Sequence, residues 1–316
     1  MLNSKLISEA LRIPSPITEI KSELLSHKKV QLFLKRDDLI HSEISGNKWR
    51  KLYLNLLEAR AQNKDAILTF GGAFSNHIYA TAAACHMFGF KSIGIIRGEY
   101  VDLDNPTLKF AKSKGMDLVK VSKAIYGSDK EVIAMQYPNA YIIPEGGNND
   151  LGRDGMKFLA EEIMAIDSEN KSLVVVPIGT ACTMGGLVQH LSENYSVLGI
   201  NVLKNKGIDK ELKEWTKESS VSYKVSHDYH FGGYAKVTHE LIDFANQFSE
   251  THQIDLDPIY TAKMMCGLFD LIDKNTFPEG QKIIAIHTGG LQGVIPYNQL
   301  NDYKLRSFKS IGSASE

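Results

Sequence analysis

Short runs of aliphatic and β-branched residues alternate along this chain with longer segments in which apolar positions recur every three or four residues. The runs at 66–70, 92–96, 118–121, 140–143, 173–177, 197–202 and 282–287 predict strands, and their near-continuous hydrophobicity is that of parallel strands covered on both faces. Trp49, Leu52, Tyr53, Leu56 and Leu57 lie at i, i+3, i+4, i+7 and i+8, which puts one apolar stripe on a helix beginning near Lys48. Further helices are predicted over 106–114, 152–166, 185–194, 210–218, 239–252 and 257–274, with an alanine-rich helix after Asn76. This order predicts an α/β fold with crossover helices, whose ligands sit beyond the carboxyl ends of the strands.

Composition narrows the partners. The 316 residues are 43% hydrophobic and 23% charged, enough apolar mass for one large core or two ordinary ones. A formal net charge of −1 gives no global field to recruit nucleic acid or an anionic membrane, so a small ligand is expected. The cysteines Cys85, Cys182 and Cys266 are far apart and include no CxxC pair, which argues against a disulfide framework or structural zinc and for a reducing, cytoplasmic setting. Residues 1–11 lack a continuous apolar run, and no run elsewhere approaches a membrane span. There is no internal repeat. A polar, glycine-rich stretch at 145–154 marks a boundary, and a serine-rich tail follows Phe308.

Four loops after predicted strands or before helices carry candidate chemistry. In Ser45-Gly46-Asn47-Lys48, the helix-start position and the neighbouring cations Arg50 and Lys51 disfavour a further positive charge on Lys48, which favours the neutral amine that a Schiff base requires. A solvated surface lysine is the alternative. Gly71-Gly72-Ala73-Phe74-Ser75-Asn76-His77 follows the 66–70 strand; Ser75 is placed to cap the next helix, whose free amides, with the Ser75 hydroxyl and Asn76 amide, could hold a carboxylate. His77 reads as a packing or hydrogen-bonding neighbour there. Gly179-Thr180-Ala181-Cys182-Thr183-Met184-Gly185-Gly186 leads from the 173–177 strand into a helix and suits a phosphate, although it is neither a Walker A loop nor GxGxxG. The fourth is His287-Thr288-Gly289-Gly290, with Gly232-Gly233-Tyr234 and Pro258-Ile259-Tyr260-Thr261 upstream. No HExxH, GxSxG or close His and carboxylate cluster suggests a metal site or a serine-hydrolase triad.

Taken in this order, the segments from Leu34-Lys35-Arg36-Asp37-Asp38 to His287-Thr288-Gly289-Gly290 resemble the 1-aminocyclopropane-1-carboxylate deaminase / D-cysteine desulfhydrase family of pyridoxal-phosphate enzymes. The most specific parts are Gly46-Asn47-Lys48 with Arg50-Lys51-Leu52, and Gly71-Gly72 with Ser75-Asn76. The resemblance implies fold type II, like the tryptophan synthase β subunit: two open, mostly parallel twisted sheets covered by helices. It places a smaller α/β domain at 55–150 and a larger cofactor-binding domain at 1–54 and 151–316. It also implies that Lys48 carries pyridoxal 5'-phosphate as a Schiff base, assisted by Asn47, and that Lys51 with Gly179, Thr180, Ala181, Cys182 and Thr183 holds its phosphate. Ser75, Asn76 and His77 would receive the substrate carboxylate, with Asn76 also bonding the cofactor's ring oxygen, and Tyr234 and Tyr260 would flank cofactor and substrate.

The phosphate loop departs from the family pattern, with fewer glycines and a cysteine where a serine is expected. Thr261 and Thr288 stand where the deaminase branch has a glutamate facing the pyridine nitrogen and a leucine, and they match the desulfhydrase branch. A neutral hydroxyl beside that nitrogen makes the ring a milder electron sink. The expected activity is therefore β-elimination from a small amino acid, D-cysteine giving pyruvate, ammonia and sulfide, by a cytoplasmic homodimer. Ring-opening deamination is the alternative, and a non-catalytic anion-binding α/β protein the second.

Overall fold

A computed structural model describes residue 7 and residues 9–128, 130–167 and 171–306. The serine-rich tail after Phe308 and the first six residues lie outside the described residues. Among the described residues ten strands form two sheets: β1 (Ile17–Ile20), β2 (Gln31–Lys35), β3 (Ala66–Gly71), β4 (Lys91–Arg97), β5 (Met116–Val121), β6 (Ala140–Ile143), β7 (Leu173–Ile178), β8 (Ser196–Asn201), β9 (Ser222–Ser226) and β10 (Lys282–Ile286). The larger sheet has the order β1-β2-β10-β7-β8-β9 and is parallel except for β1, which runs antiparallel to β2. The smaller, β5-β4-β3-β6, is wholly parallel. This is the two-sheet α/β architecture of the tryptophan-synthase-β type that the resemblance implied.

All seven predicted strands form; β3 and β7 are buried on both faces, whereas the edge strands β5 and β6 are partly exposed. In β7, Val174, Val176 and Ile178 enter one apolar layer and Leu173 and Val175 the other. The hydrophobic pattern does not predict β1, β2 and β9. The outer strands β1 and β9 are partly exposed, so their apolar runs are broken by Thr, Glu, Ser and Lys. The predicted helix at 152–166 is two helices, Asp150–Asp154 and Lys157–Ile166. Residue 55, the expected start of the smaller domain, lies within the continuous helix Asn47–Ala61.

That helix is fixed in place by charge as well as by Trp49, Leu52 and Leu56. Arg50 bridges Asp37 (2.7 and 2.8 Å) and Glu162 (2.9 Å twice), and Lys35 also bonds Glu162, all with little or no exposure. The helix entry is equally constrained: Gly46 has φ +70°, and a Cβ built on it would lie 1.8 Å from the Thr288 carbonyl oxygen. Only glycine lets the loop before Lys48 lie directly on the last turn, so Gly46→Ala is expected to shift Lys48 and to cost more than about 1 kcal/mol in strain alone. A chemical-denaturation midpoint unchanged from wild type would contradict this.

Candidate active site

The carboxyl ends of the two sheets face a cavity of about 500 Å³. Lys48 enters it from the first turn of its helix, with Nζ donating to Asn47 Oδ1 at 2.9 Å, while Asn47 Nδ2 donates to Thr183 Oγ1 at 2.9 Å. Burial lowers the Lys48 pKa from 10.5 to about 7, and the Lys51 ammonium acts in the same direction. Arg50, expected to contribute, instead faces Asp37 and Glu162 and is neutralised there. The amine is thus about half neutral near pH 7. Competitive acylation of the cofactor-free protein should label Lys48 with a half-maximum near pH 7, against about 10.4 for exposed lysines; peptide mass spectrometry showing no such separation would refute the environment described.

Lys51 is buried and donates to the Gly146 carbonyl (3.2 Å) and Thr180 Oγ1 (3.4 Å). Thr180 and Thr183 line the cavity with Gly179, and helix Cys182–His190 begins there with no side-chain cap, leaving its first amides free for an anion. Ala181 and Cys182 do not line the cavity; the buried Cys182 thiol donates to the Gly147 carbonyl at 3.3 Å and packs behind the loop.

On the small-sheet side, Ser75 caps helix Asn76–Phe88 by accepting from the Ile78 amide at 3.3 Å, and Ser75, Asn76 and His77 all line the cavity. Gln292 Nε2 bonds Asn76 Oδ1 and so orients the Asn76 amide. Thr69 spends its hydroxyl proton on the Ile143 carbonyl (2.8 Å), so His77 Nε2 must donate to Thr69 Oγ1 (2.9 Å), leaving Nδ1 unprotonated. That Nδ1 is buried without a partner, and burial and the charges of Lys48 and Lys51 hold the ring neutral, well below its ordinary pKa.

Tyr260 and Tyr234 close the opposite wall, Tyr234 at the mouth with 46% exposure. Burial raises both phenol pKa values, so both are proton donors at neutral pH. The two threonines separate. Thr288 lines the cavity, but Thr261 does not: its hydroxyl donates to Asp257 Oδ1 at 2.7 Å and accepts from the Asp257 amide at 2.8 Å. Asp257 is the carboxylate at this wall, and it also accepts from the amides of Ile259, Tyr260 and Thr261.

Sequence reasoning missed Asp257, Gln292, Arg97, Glu145 and the wall formed by Pro296, Tyr297 and Leu300. Arg97 ends β4, where the rule for parallel sheets would have found it, and Asp257 before Pro258 carries a helix-start signature. Nothing local marks Gln292 or the wall.

A family model described as pyridoxal-phosphate dependent enzyme matches residues 11–289. The chain is 32% identical over 294 residues to a Pyrococcus abyssi protein named "Putative 1-aminocyclopropane-1-carboxylate deaminase", covering 85% of this chain and 87% of that one. A Thermotoga maritima protein of the same name is 30% identical over 304 residues, covering 89% and 95%. Among solved structures, one described as an ACC deaminase homologue superposes with a TM-score of 0.80 at 28% identity, over 94% of this chain and 97% of that chain. An O-ureido-L-serine synthase, at 15% identity and TM-score 0.73 over 96% and 97%, shares the fold.

Proposed function

The chain belongs to the pyridoxal-phosphate-dependent enzymes, in the family of its relatives named putative 1-aminocyclopropane-1-carboxylate deaminase, and on that premise we propose a D-cysteine-desulfhydrase-like β-eliminating lyase. The residues present fit the cofactor: a half-neutral lysine amine for its aldehyde, and, at one end of the cavity, an ammonium, two hydroxyls and the free amides of a helix start for its phosphate. Lys48 would hold it by the aldehyde, Lys51, Thr180 and Thr183 by the phosphate. When bound, pyridoxal phosphate supplies an electron sink for negative charge at the substrate Cα.

The chain's own residues do the rest. The start of helix Asn76–Phe88, with Ser75 and the Asn76 amide, binds the substrate carboxylate and turns the Cα–H toward Lys48. The Lys48 amine removes that proton, a role its depressed pKa suits near pH 7. Tyr260 or Tyr234 gives its phenolic proton to the departing sulfur. Aminoacrylate leaves, and water converts it to pyruvate and ammonia.

The observation favouring β-elimination over ring opening is the neutral Thr288 side chain facing the cavity; Thr261 is turned away from the cavity to Asp257 and does not bear on the choice. A second reading, ring opening to 2-oxobutyrate and ammonia, is favoured by the names of the curated relatives. Purified enzyme given D-cysteine and then 1-aminocyclopropane-1-carboxylate, with sulfide, pyruvate and 2-oxobutyrate assayed, separates the two. Sulfide and pyruvate from D-cysteine with no 2-oxobutyrate is the expected result; 2-oxobutyrate as the main product would replace the first reading by the second. Thr288→Leu should lower sulfide release from D-cysteine and bring in 2-oxobutyrate formation from 1-aminocyclopropane-1-carboxylate, and unchanged rates of both would remove Thr288 from the argument. The cysteines, all free, suit a reducing cytoplasm, and the homodimer that the resemblance implies is open to sedimentation analysis.

A further inference from the structure

Lys263 is a cation that the proposed reaction does not use. It lies in the first turn of helix Thr261–Asp273, is fully shielded from solvent, and has no carboxylate within ion-pair distance among the described residues. Burial and the positive end of a helix both oppose charge there, and burial lowers its pKa from 10.5 to about 8. At pH 7 it is still mostly an ammonium, and its three protons have three acceptors: the carbonyls of Gly233 (2.8 Å), His230 (3.0 Å) and Val202 (3.3 Å).

Those carbonyls fasten one loop to the end of β8, and the loop is costly. Phe231, Gly232, Gly233 and Ala235 all have positive φ, at +51°, +92°, +110° and +55°. Two are not glycine, so the conformation needs support from outside the loop. The loop places Tyr234 at the cavity mouth, close enough to Tyr260 to influence its ionisation.

We propose that Lys263 is the positioning residue for Tyr234, holding the strained 230–235 loop through its three carbonyl contacts. The inference rests on the reading of Tyr234 as a substrate-facing phenol for its effect on rate, and on geometry alone for the anchoring. In the holoenzyme, Lys263→Met should raise amide exchange of residues 232–236 by roughly tenfold to a hundredfold, without a matching change in β7 or β10. The Gly233 and Lys236 amides, hydrogen-bonded to His230 and Gly233 carbonyls, report directly. Lys263→Met should also lower kcat about as much as Tyr234→Phe, and the double variant should lose little more than either alone. If Lys263→Met does not fold, Lys263→Gln, a shorter side chain with two amide donors, serves for the same comparisons.

Unchanged loop exchange, or exchange raised equally throughout the protein, would overturn the anchoring. Multiplying kcat losses with exchange raised only in the loop would overturn the coupling to Tyr234. Full turnover by Tyr234→Phe would instead overturn the catalytic reading of Tyr234, and loop exchange would then decide the anchoring by itself.

Discussion

Lys48→Ala is expected to reduce turnover by at least about a thousandfold, since it removes both a general base and the amine that holds the cofactor. The same change should stabilise the cofactor-free protein. Wild-type Lys48 has a folded-state pKa of about 7 against 10.5 unfolded, so folding disfavours its charged form. Every tenfold loss of proton affinity on folding is worth about 1.4 kcal/mol, and contact with solvent in the cavity discounts the sum, leaving a penalty on the order of 2 kcal/mol at or below neutral pH. Between pH 7 and 10.5 the unfolded chain binds more protons at this site than the folded one, so this penalty declines as pH rises and is gone above 10.5. The variant's advantage in urea unfolding should therefore be largest at about pH 7 or below and shrink toward about pH 10. Full turnover would end the assignment of Lys48, and an advantage that grew with pH would show that the lysine is not desolvated. A residue costly to the fold and indispensable to the reaction is the expected mark of an active site.

The interior of this fold is legible in the sequence because a strand covered on both faces needs continuous apolar residues, and 173–177 and 282–287 have them. The edges are not: Ser222–Ser226 alternates weakly, and only pairing with β8 makes it a strand. The site divides in the same way. Lys48, Ser75 and Asn76 belong to short continuous motifs at strand exits or helix starts, where function is constrained to lie. Thr261 reads in the sequence as a neighbour of the cofactor ring because its position marks a family branch, but its partner is set by a bond to Asp257 four residues earlier. Lys263, between Ala262 and Met264, carries no local mark of its burial, which comes with its bonds to the carbonyls of the 230–235 loop. Properties made by distant segments meeting cannot be read from either segment alone.

Arg50→Met should produce the largest loss of stability, about 3–5 kcal/mol in urea unfolding, because it leaves the buried Asp37 carboxylate without its paired cation and Glu162 with Lys35 alone. Its partners are 13 and 112 residues away, so no local pattern announces the bond. The Arg50 guanidinium and the Lys35 ammonium outweigh the opposing effect of burial and hold the Asp37 carboxyl below its ordinary 3.8. A carboxylate with a depressed folded pKa contributes stability that is present above 3.8 and is lost as pH falls through the folded value. In Arg50→Met, burial prevails and raises the Asp37 pKa, so the folded variant takes up a proton there more readily than the unfolded chain, and its stability deficit relative to wild type should shrink as pH falls. Adding Asp37→Leu should recover part of the loss, since the buried carboxylate that had lost its cation is then gone too. Because Arg50 lies two residues beyond Lys48 on the same helix, the cofactor content of the purified variant should fall along with its stability. An unchanged urea midpoint, or a deficit that does not narrow on acidification, would show that Trp49, Leu52 and Leu56 alone hold the helix that presents Lys48.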